Sequence, residues 1–203
     1  SPLWMVRRLQ MCGMRSISIA VDITNYVMIE LGQPLHAFDS DRIKGSITVR
    51  LAKEIKTIKT LDSQDRELFP ENLLIADYSG ALAIAGTIGG YESEVTSKTK
   101  AITIEAAHFD SVLIAKNARS HKLSTEASRR FERGVDPELT QTALLRCVAL
   151  LQELTGAQVS SATFEYLGEV SKPIVLDLSK QDITKLIGND LPNSQIEQIL
   201  TDL

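Results

Sequence analysis

Leu123-Ser124-Thr125-Glu126-Ala127-Ser128-Arg129-Arg130-Phe131-Glu132-Arg133-Gly134-Val135-Asp136-Pro137 packs a helix start, a helix stop and a second helix start into one short run. Ser124 is the expected N-cap, its side chain accepting a hydrogen bond from a first-turn N–H. Gly134 suits the left-handed conformation that ends a helix, and Asp136-Pro137 reads as an N-cap followed by proline at the first helical position. The short helix between them carries Thr125, Ser128, Arg129, Arg130 and Arg133 around one aromatic, Phe131. Two readings stand side by side. It is a solvated basic helix pinned by Phe131, or a place where N–H groups, hydroxyls and arginines meet a phosphate or a carbonyl oxygen.

Outward from that run the pattern is mixed α/β. Downstream, Pro137 to Leu154 reads as an amphipathic helix with Leu139, Ala143, Leu144, Cys147, Val148, Leu151 and Leu154 on one side, ended by Gly156. Upstream, Asp110 caps a helix through Ala118, followed by Arg119-Ser120-His121-Lys122. Ala101 to Ala107 is a strand in which the acid is the odd residue. Alternation puts Glu105 on the face of Ala101 and Thr103, opposite Ile102 and Ile104, and a carboxylate among small residues needs partners.

Further upstream, Ile47, Val49 and Leu51 alternate, Ile55 to Leu61 continues in that style, and Leu73–Ala76 and Leu82–Ala85 are short apolar runs. Four or five strands are expected here, with turns at Asp62–Asp65 and Asp77–Gly80. Ala85-Gly86-Thr87-Ile88-Gly89-Gly90 lacks the lysine of a P-loop and the spacing of a dinucleotide fingerprint. It is a tight turn, or a backbone that approaches a ligand closely. Leu3 to Met11 and Val21 to Leu31 read as helices closed by Gly13 and Gly32. Asp22, Thr24, Asn25 and Tyr26 are a polar set in the second, pointing to capping, a satisfied buried network or a site. Gln33–Asp39 reads as a loop whose only ionisable side chains are His36 and Asp39. His36 is a hydrogen-bonded structural residue or a proton acceptor against an apolar wall. Val159 to Tyr166 gives one more strand and Gly168 to Pro173 a linker. Ile174–Leu178, a helix capped by Ser179 and ending at Gly188, and a helix opened by Leu191–Ser194 begin a strand-helix-helix module.

Composition sets the limits. The 203 residues are 43% hydrophobic and 24% charged, with net charge -4 and pI near 5.5. That excludes a general nucleic-acid coat protein, so an RNA role rests on a local basic patch. Cys12 and Cys147 have no metal spacing and read as buried reduced thiols of a cytosolic protein. No apolar run reaches membrane-spanning length and no signal peptide is present. The chain starts at Ser1 in mid-pattern and stops at Leu203 without a tail, as an excised piece of something longer does.

Taken together, Val21–Met28, Gln33–Asp39, Ile84–Gly90 and Arg130–Pro137 resemble, in order, the bacterial phenylalanyl-tRNA synthetase β subunit. The resemblance covers essentially the whole chain. It implies that residues 1–168 are that subunit's editing domain and 169–203 the truncated start of the next small module. The fold implied is α/β, strands in a sandwich-like core flanked by helices. The activity implied is removal of tyrosine wrongly esterified to phenylalanine tRNA. By the same resemblance His36, Gly89, Glu105, Thr125 and Ala127 match pocket positions and Thr24 and Asn25 nearby ones, with Glu105 at the position that recognises the tyrosine hydroxyl. Synthesis, with ATP and magnesium, belongs to the α subunit of an α2β2 assembly, and this segment holds no cofactor or metal of its own. Two departures bear on RNA contacts: Arg119-Ser120-His121-Lys122-Leu123 more often reads Arg-Arg-His-Gly-Leu, and Arg129 stands where histidine is common.

The chemistry agrees with the residues. Tyrosine exceeds phenylalanine by one hydroxyl, so a size sieve cannot spare phenylalanine. A buried polar group that only the hydroxyl satisfies discriminates by ~10⁴–10⁵. Ester hydrolysis then needs an oriented water, for which His36 is the candidate, and oxyanion donors, for which the Gly86–Gly90 turn and the N–H groups around Thr125 are candidates. No serine or cysteine nucleophile with a base stands out, so water attacks directly. Arg119, Lys122, Arg129, Arg130 and Arg133 are the expected contacts to the acceptor-end phosphates. The competing reading is a non-catalytic RNA-docking and subunit-assembly module.

Overall fold

Three helices with apolar stripes at helical spacing, α1 (Leu3–Met11), α2 (Ile19–Leu31) and α5 (Leu139–Thr155), close on one another through Met5, Leu9, Ile23, Val27, Cys147 and Leu150. The computed structural model describes residues 1–160, 168 and 174–203, in two units, Ser1–Thr163 and Phe164–Leu203. Onto the three helices lies an antiparallel pair of strands, β1 (Leu35–Asp39) and β8 (Ile102–Ala106), by way of Leu35, Ile102 and Ile104.

Among the described residues the remaining strands of the first unit are β2 (Thr48–Leu51), β3 (Thr57–Lys59), β4 (Asp65–Glu67), β5 (Leu73–Ala76), β6 (Ala81–Ile84) and β7 (Ile88–Gly89). They form an antiparallel sheet in the order β2-β5-β6-β7 and a separate β3–β4 hairpin. Leu74 and Ile84 face a core with Ile58 and Leu68. Ile75 and Leu82 face another, with Phe38 of β1, Ile114 of α3 (Ser111–Ser120) and Phe131 of α4 (Glu126–Phe131). Burial on both faces explains why β5 and β6 are unbroken apolar runs rather than alternating ones. The turns fall at 62–65 and 77–80, as the sequence predicts.

Several local expectations are overturned. Gln33–Asp39 is no simple loop, because Leu35–Asp39 pairs with β8 along its whole length. Pro34 precedes the ladder and costs it no donor. The cap of α4 is Thr125, not Ser124. Thr125 Oγ accepts from Ser128 N–H while Ser128 Oγ accepts from Thr125 N–H, both at 3.0 Å, a reciprocal pair that Ser124 cannot form. Ser124 Oγ instead accepts from Arg129 Nε. Helix α5 starts at Leu139, two residues after Pro137, since Asp136 accepts from Glu138 N–H. The alternating residues Val49 and Leu51 of β2, and Ile47 just before it, are not covered: they are 56%, 37% and 40% exposed, on a strand at the sheet edge. Cys147 is buried, but Cys12, past the end of α1, is exposed.

The second unit holds α6 (Lys180–Ile187), whose Ser179 cap accepts from Asp182 N–H and whose end is Gly188, and α7 (Asn193–Asp202). Ile174–Leu178 is exposed and forms no strand; among the described residues nothing pairs with it. The expected strand Val159–Tyr166 and linker Gly168–Pro173 fall mostly outside the described residues.

One buried side chain ties the sheet to α3. Asn117 donates to the carbonyls of Leu73 (2.9 Å) and Ala85 (3.4 Å) and accepts from Leu73 N–H (3.0 Å) and Asn72 Nδ2 (3.2 Å). Asn117→Ala leaves several buried groups unpaired and is expected to lower stability by about 2–4 kcal/mol. The urea midpoint at unchanged m-value reads this, and a loss under about 1 kcal/mol contradicts it.

Candidate functional site

The site grows from the face of the β1–β8 pair turned away from the three-helix core. His36 stands opposite Glu105 and Phe38 opposite Thr103, so both couples share one face. The His36 ring lies edge-on to Phe38, with centroids 4.5 Å apart. A Cβ on Gly89 would meet His36 Cε1 at 2.6 Å, His36 Nε2 at 2.8 Å and Leu61 Cδ1 at 2.9 Å. Only glycine fits there. The turn before Gly89 bends at Gly86, with φ +60°, and its Thr87 carbonyl accepts from Thr125 Oγ at 2.8 Å. Glu105, His36, Gly89, Thr87 and Thr125 thus follow one another, drawn from three strands, a turn and a helix start.

Glu105 and His36 each keep part of their surface accessible, although dense surrounding protein disfavours charge on either. Burial pushes the Glu105 carboxyl up to about 7 and the His36 imidazole down to about 4. Near neutral pH the imidazole is uncharged and the carboxyl sits at the edge of ionisation. Among the described residues neither side chain has a hydrogen bond, and no ion pair joins them. A polar pair so enclosed and so unpartnered is suited to a ligand that brings its own hydrogen-bonding groups.

Other expected residues are placed differently. Thr24 is buried with its hydroxyl donated to Val21 O, and Asn25 is half-buried on the same helix; neither bonds to His36, Glu105 or Thr125. The polar set around them is a satisfied network, in which Asp22 accepts from Ser1 Oγ, Ser16 Oγ and Ile17 N–H. Ala127 is half-buried against the core that holds Phe38. Most proposed oxyanion donors are spent inside the protein: Thr87 N–H on Ile84 O, Gly90 N–H on Leu82 O and Thr125 N–H on Ser128 Oγ.

The five basic residues do not make one patch. Arg129, Arg130 and Arg133 line a cleft of about 520 Å³ with Gly32, Glu126 and Gly134. Arg119 lines a separate cleft of about 230 Å³ with Lys116 and Glu132. Arg129 and Arg130 pair with Glu126 at 3.4 and 2.7 Å, and the bond from Arg130 holds that carboxyl below its usual range. Lys122 is exposed in a left-handed conformation, φ +55°. Sequence reasoning missed Leu61 and the Thr87 carbonyl, since a hairpin leucine and a main-chain oxygen carry no residue-type signal. Among the described residues no cluster of three or more His, Cys, Asp or Glu could hold a metal, and no helix is long and apolar enough to cross a membrane.

Residues 1–156 match the B3/4 domain family. Over 201 residues the chain is 45% identical to a protein of Cutibacterium acnes called phenylalanine–tRNA ligase beta subunit, covering 99% of this chain and 24% of that one. It is 47% identical over 205 residues to the protein of that name from Pseudomonas savastanoi pv. phaseolicola (100% and 26%) and 55% identical over 159 residues to that from Thermobifida fusca (78% and 19%). The chain therefore spans about a quarter of the length of these relatives. The crystal structure of an N-terminal fragment of the phenylalanyl-tRNA synthetase beta subunit from Pyrococcus horikoshii has a TM-score of 0.47 and 16% identity over 89% of this chain and 54% of that one, a likeness too slight to bear on the site. On the family match over 1–156 and the near full-length similarity to these subunits, the chain belongs to the B3/4 domain family in the form carried by bacterial phenylalanine–tRNA ligase β subunits.

Proposed function

We propose that residues 1–168 are a proofreading domain that hydrolyses tyrosyl-tRNA(Phe), and that 169–203 begin the next module of the same subunit. The observation that carries this reading is the enclosed, unpartnered Glu105 facing the same crevice as a neutral His36. The phenol hydroxyl of tyrosine hydrogen-bonds to Glu105. Phenylalanine excludes water from that carboxyl without pairing it, which is the asymmetry discrimination needs. Gly89 lets the His36 ring lie close against the turn, and the small side chain of Ala127 leaves room for the substrate ring.

With its basicity lowered to about 4, His36 is a poor proton acceptor at neutral pH. It orients the attacking water by a hydrogen bond, and the activated ester needs little more. Thr125 holds the glycine turn and the helix start together beside the ester. The arginine cleft at Arg129, Arg130 and Arg133, and separately Arg119 and Lys122, meet RNA phosphates, with Glu126 as an internal counter-ion. The whole enzyme, a cytoplasmic α2β2 synthetase using ATP and magnesium, forms the aminoacyl ester on its α subunit; this segment cuts it.

The test is deacylation of tyrosyl-tRNA(Phe) and phenylalanyl-tRNA(Phe) by the assembled synthetase and by the 203-residue chain. Fast loss of tyrosine with phenylalanine retained by the assembled enzyme is expected. Equal rates for both substrates there, at the uncatalysed level, leave the assembly-module reading in its place.

A further inference from the structure

Two supports meet at one guanidinium that lies outside the crevice. Arg66, on β4, donates through Nε to Thr60 Oγ (3.0 Å), through Nη2 to Asp62 Oδ2 (2.5 Å) and through Nη1 to the carbonyl of His121 (3.3 Å). The first two contacts fix the tip of the β3–β4 hairpin. From that tip Leu61 N–H donates to Gly89 O (3.0 Å) and Thr60 bridges Gly90. The hairpin, together with the pairing of Gly89 with Ala83 of β6, holds Gly89 against His36.

The third contact lands on the turn between α3 and α4. His121 is itself held, its Nε2 2.9 Å from Asn72 Oδ1. Asn72 Nδ2 donates to Asn117 Oδ1 and Ser120 Oγ, so Asn72 Oδ1 is the acceptor and His121 carries its proton on Nε2. Four residues beyond His121, Thr125 caps α4 and grips the Thr87 carbonyl. The planar guanidinium spreads its donors over three nitrogens and so reaches both sides at once, which a single ammonium cannot.

We infer that Arg66, with His121 as its counterpart, is a positioning residue that sets the spacing between Gly89 and Thr125 across the crevice. Nothing assigns it a role, and it touches none of the reacting atoms. Its effect on catalysis rests on the proofreading reading above; the brace itself does not.

The experiment uses the full chain, and the assembled synthetase for activity. Arg66→Met keeps the stem and removes the donors; Arg66→Lys keeps the charge. Amide exchange is followed at Leu61 N–H and Ser128 N–H, which report the two sides, and at Val27 and Cys147 in the three-helix core. In Arg66→Met both reporters are expected to exchange at least about tenfold faster with the core amides unchanged, since local opening is separable from global unfolding. Arg66→Lys recovers one side only. His121→Leu loosens Ser128, and His121→Gln, whose amide nitrogen replaces Nε2, restores it. In the assembled enzyme kcat for tyrosyl-tRNA deacylation falls about tenfold at unchanged KM. Wild-type exchange at both reporters overturns the brace whether or not the enzyme edits, and so does an equal rise at all four amides. Loosened reporters in an enzyme whose wild type does not deacylate tyrosyl-tRNA uphold the brace and remove the proofreading reading instead.

Discussion

On the proposed proofreading function, Glu105→Ala is expected to abolish the preference for tyrosyl over phenylalanyl ester, with deacylation of tyrosyl-tRNA lower by about a hundredfold. A hydrogen bond to an ionisable group in dry surroundings is worth about 1.5–3 kcal/mol, and each 1.4 kcal/mol is tenfold. Retained discrimination in the alanine variant would remove the carboxyl from its role. The same residue makes a prediction on stability, for which Glu105→Gln is the cleaner change. Burial raises the folded pKa to about 7 from an ordinary 4.5, so between those values the folded chain holds more protons than the unfolded one. Stability from this group is therefore lost as pH rises through that window. His36 acts with the opposite sign: with a folded pKa of about 4 against 6.5, its penalty applies below pH 6.5 and grows as pH falls. That contribution cancels between wild type and Glu105→Gln. Relative to wild type, the glutamine variant gains about 1–3 kcal/mol between pH 4.5 and 8, discounted for the carboxyl's partial access to water. Chemical denaturation at the two pH values measures it, and a flat difference counts against the buried acid.

Gly89→Val is the second large effect. Even the first carbon of a side chain would sit 2.6 Å from His36 Cε1 and 2.9 Å from Leu61 Cδ1. The imidazole is displaced from its place opposite Glu105 or the hairpin is pushed away. Overpacking of this kind costs about 1–3 kcal/mol. A reacting geometry misplaced by about an ångström loses about a hundredfold in rate. Gly13→Ala is the control: its φ of +77° makes the substitution strained, yet nothing lies within 4 Å. A comparable loss of stability at Gly13 with full deacylation, against a large loss of deacylation at Gly89, separates local displacement from general weakening. Equal activity in both variants refutes the close approach of Gly89 to the ring.

Much of this arrangement is written in local pattern. The stops of α1 and α2 at Gly13 and Gly32, the Asp110 cap of α3, both ends of α6, the turns near 62–65 and 77–80, and the face on which Glu105 lies follow from spacing and turn chemistry, whereas α2 begins two residues before Val21 and α3 runs two residues past Ala118. What failed did so where a residue's fate depends on a distant partner. The strand character of Leu35–Asp39 shows only once β8 is beside it, because five residues after a proline carry no periodic signal of their own. Alternation at Ile47, Val49 and Leu51 predicts a strand, which is present, but says nothing of whether anything covers it. Ser124 and Thr125 are equally good caps by type, and the reciprocal bond from Ser128 decides between them. Ile174–Leu178 has strand composition without a strand among the described residues. For the site, the pairing of His36 with Glu105 was legible only through resemblance. Nothing in spacing relates residues so far apart, or shows that the arginines at 119 and at 129–133 serve different clefts.

The β1–β8 ladder joins residues about seventy positions apart, with no third strand beside it among the described residues, so closing that long loop is a late and slow event in the life of each new chain. On the proposed function, a molecule recovering from urea regains its helical ellipticity before it regains the geometry that would cleave an ester.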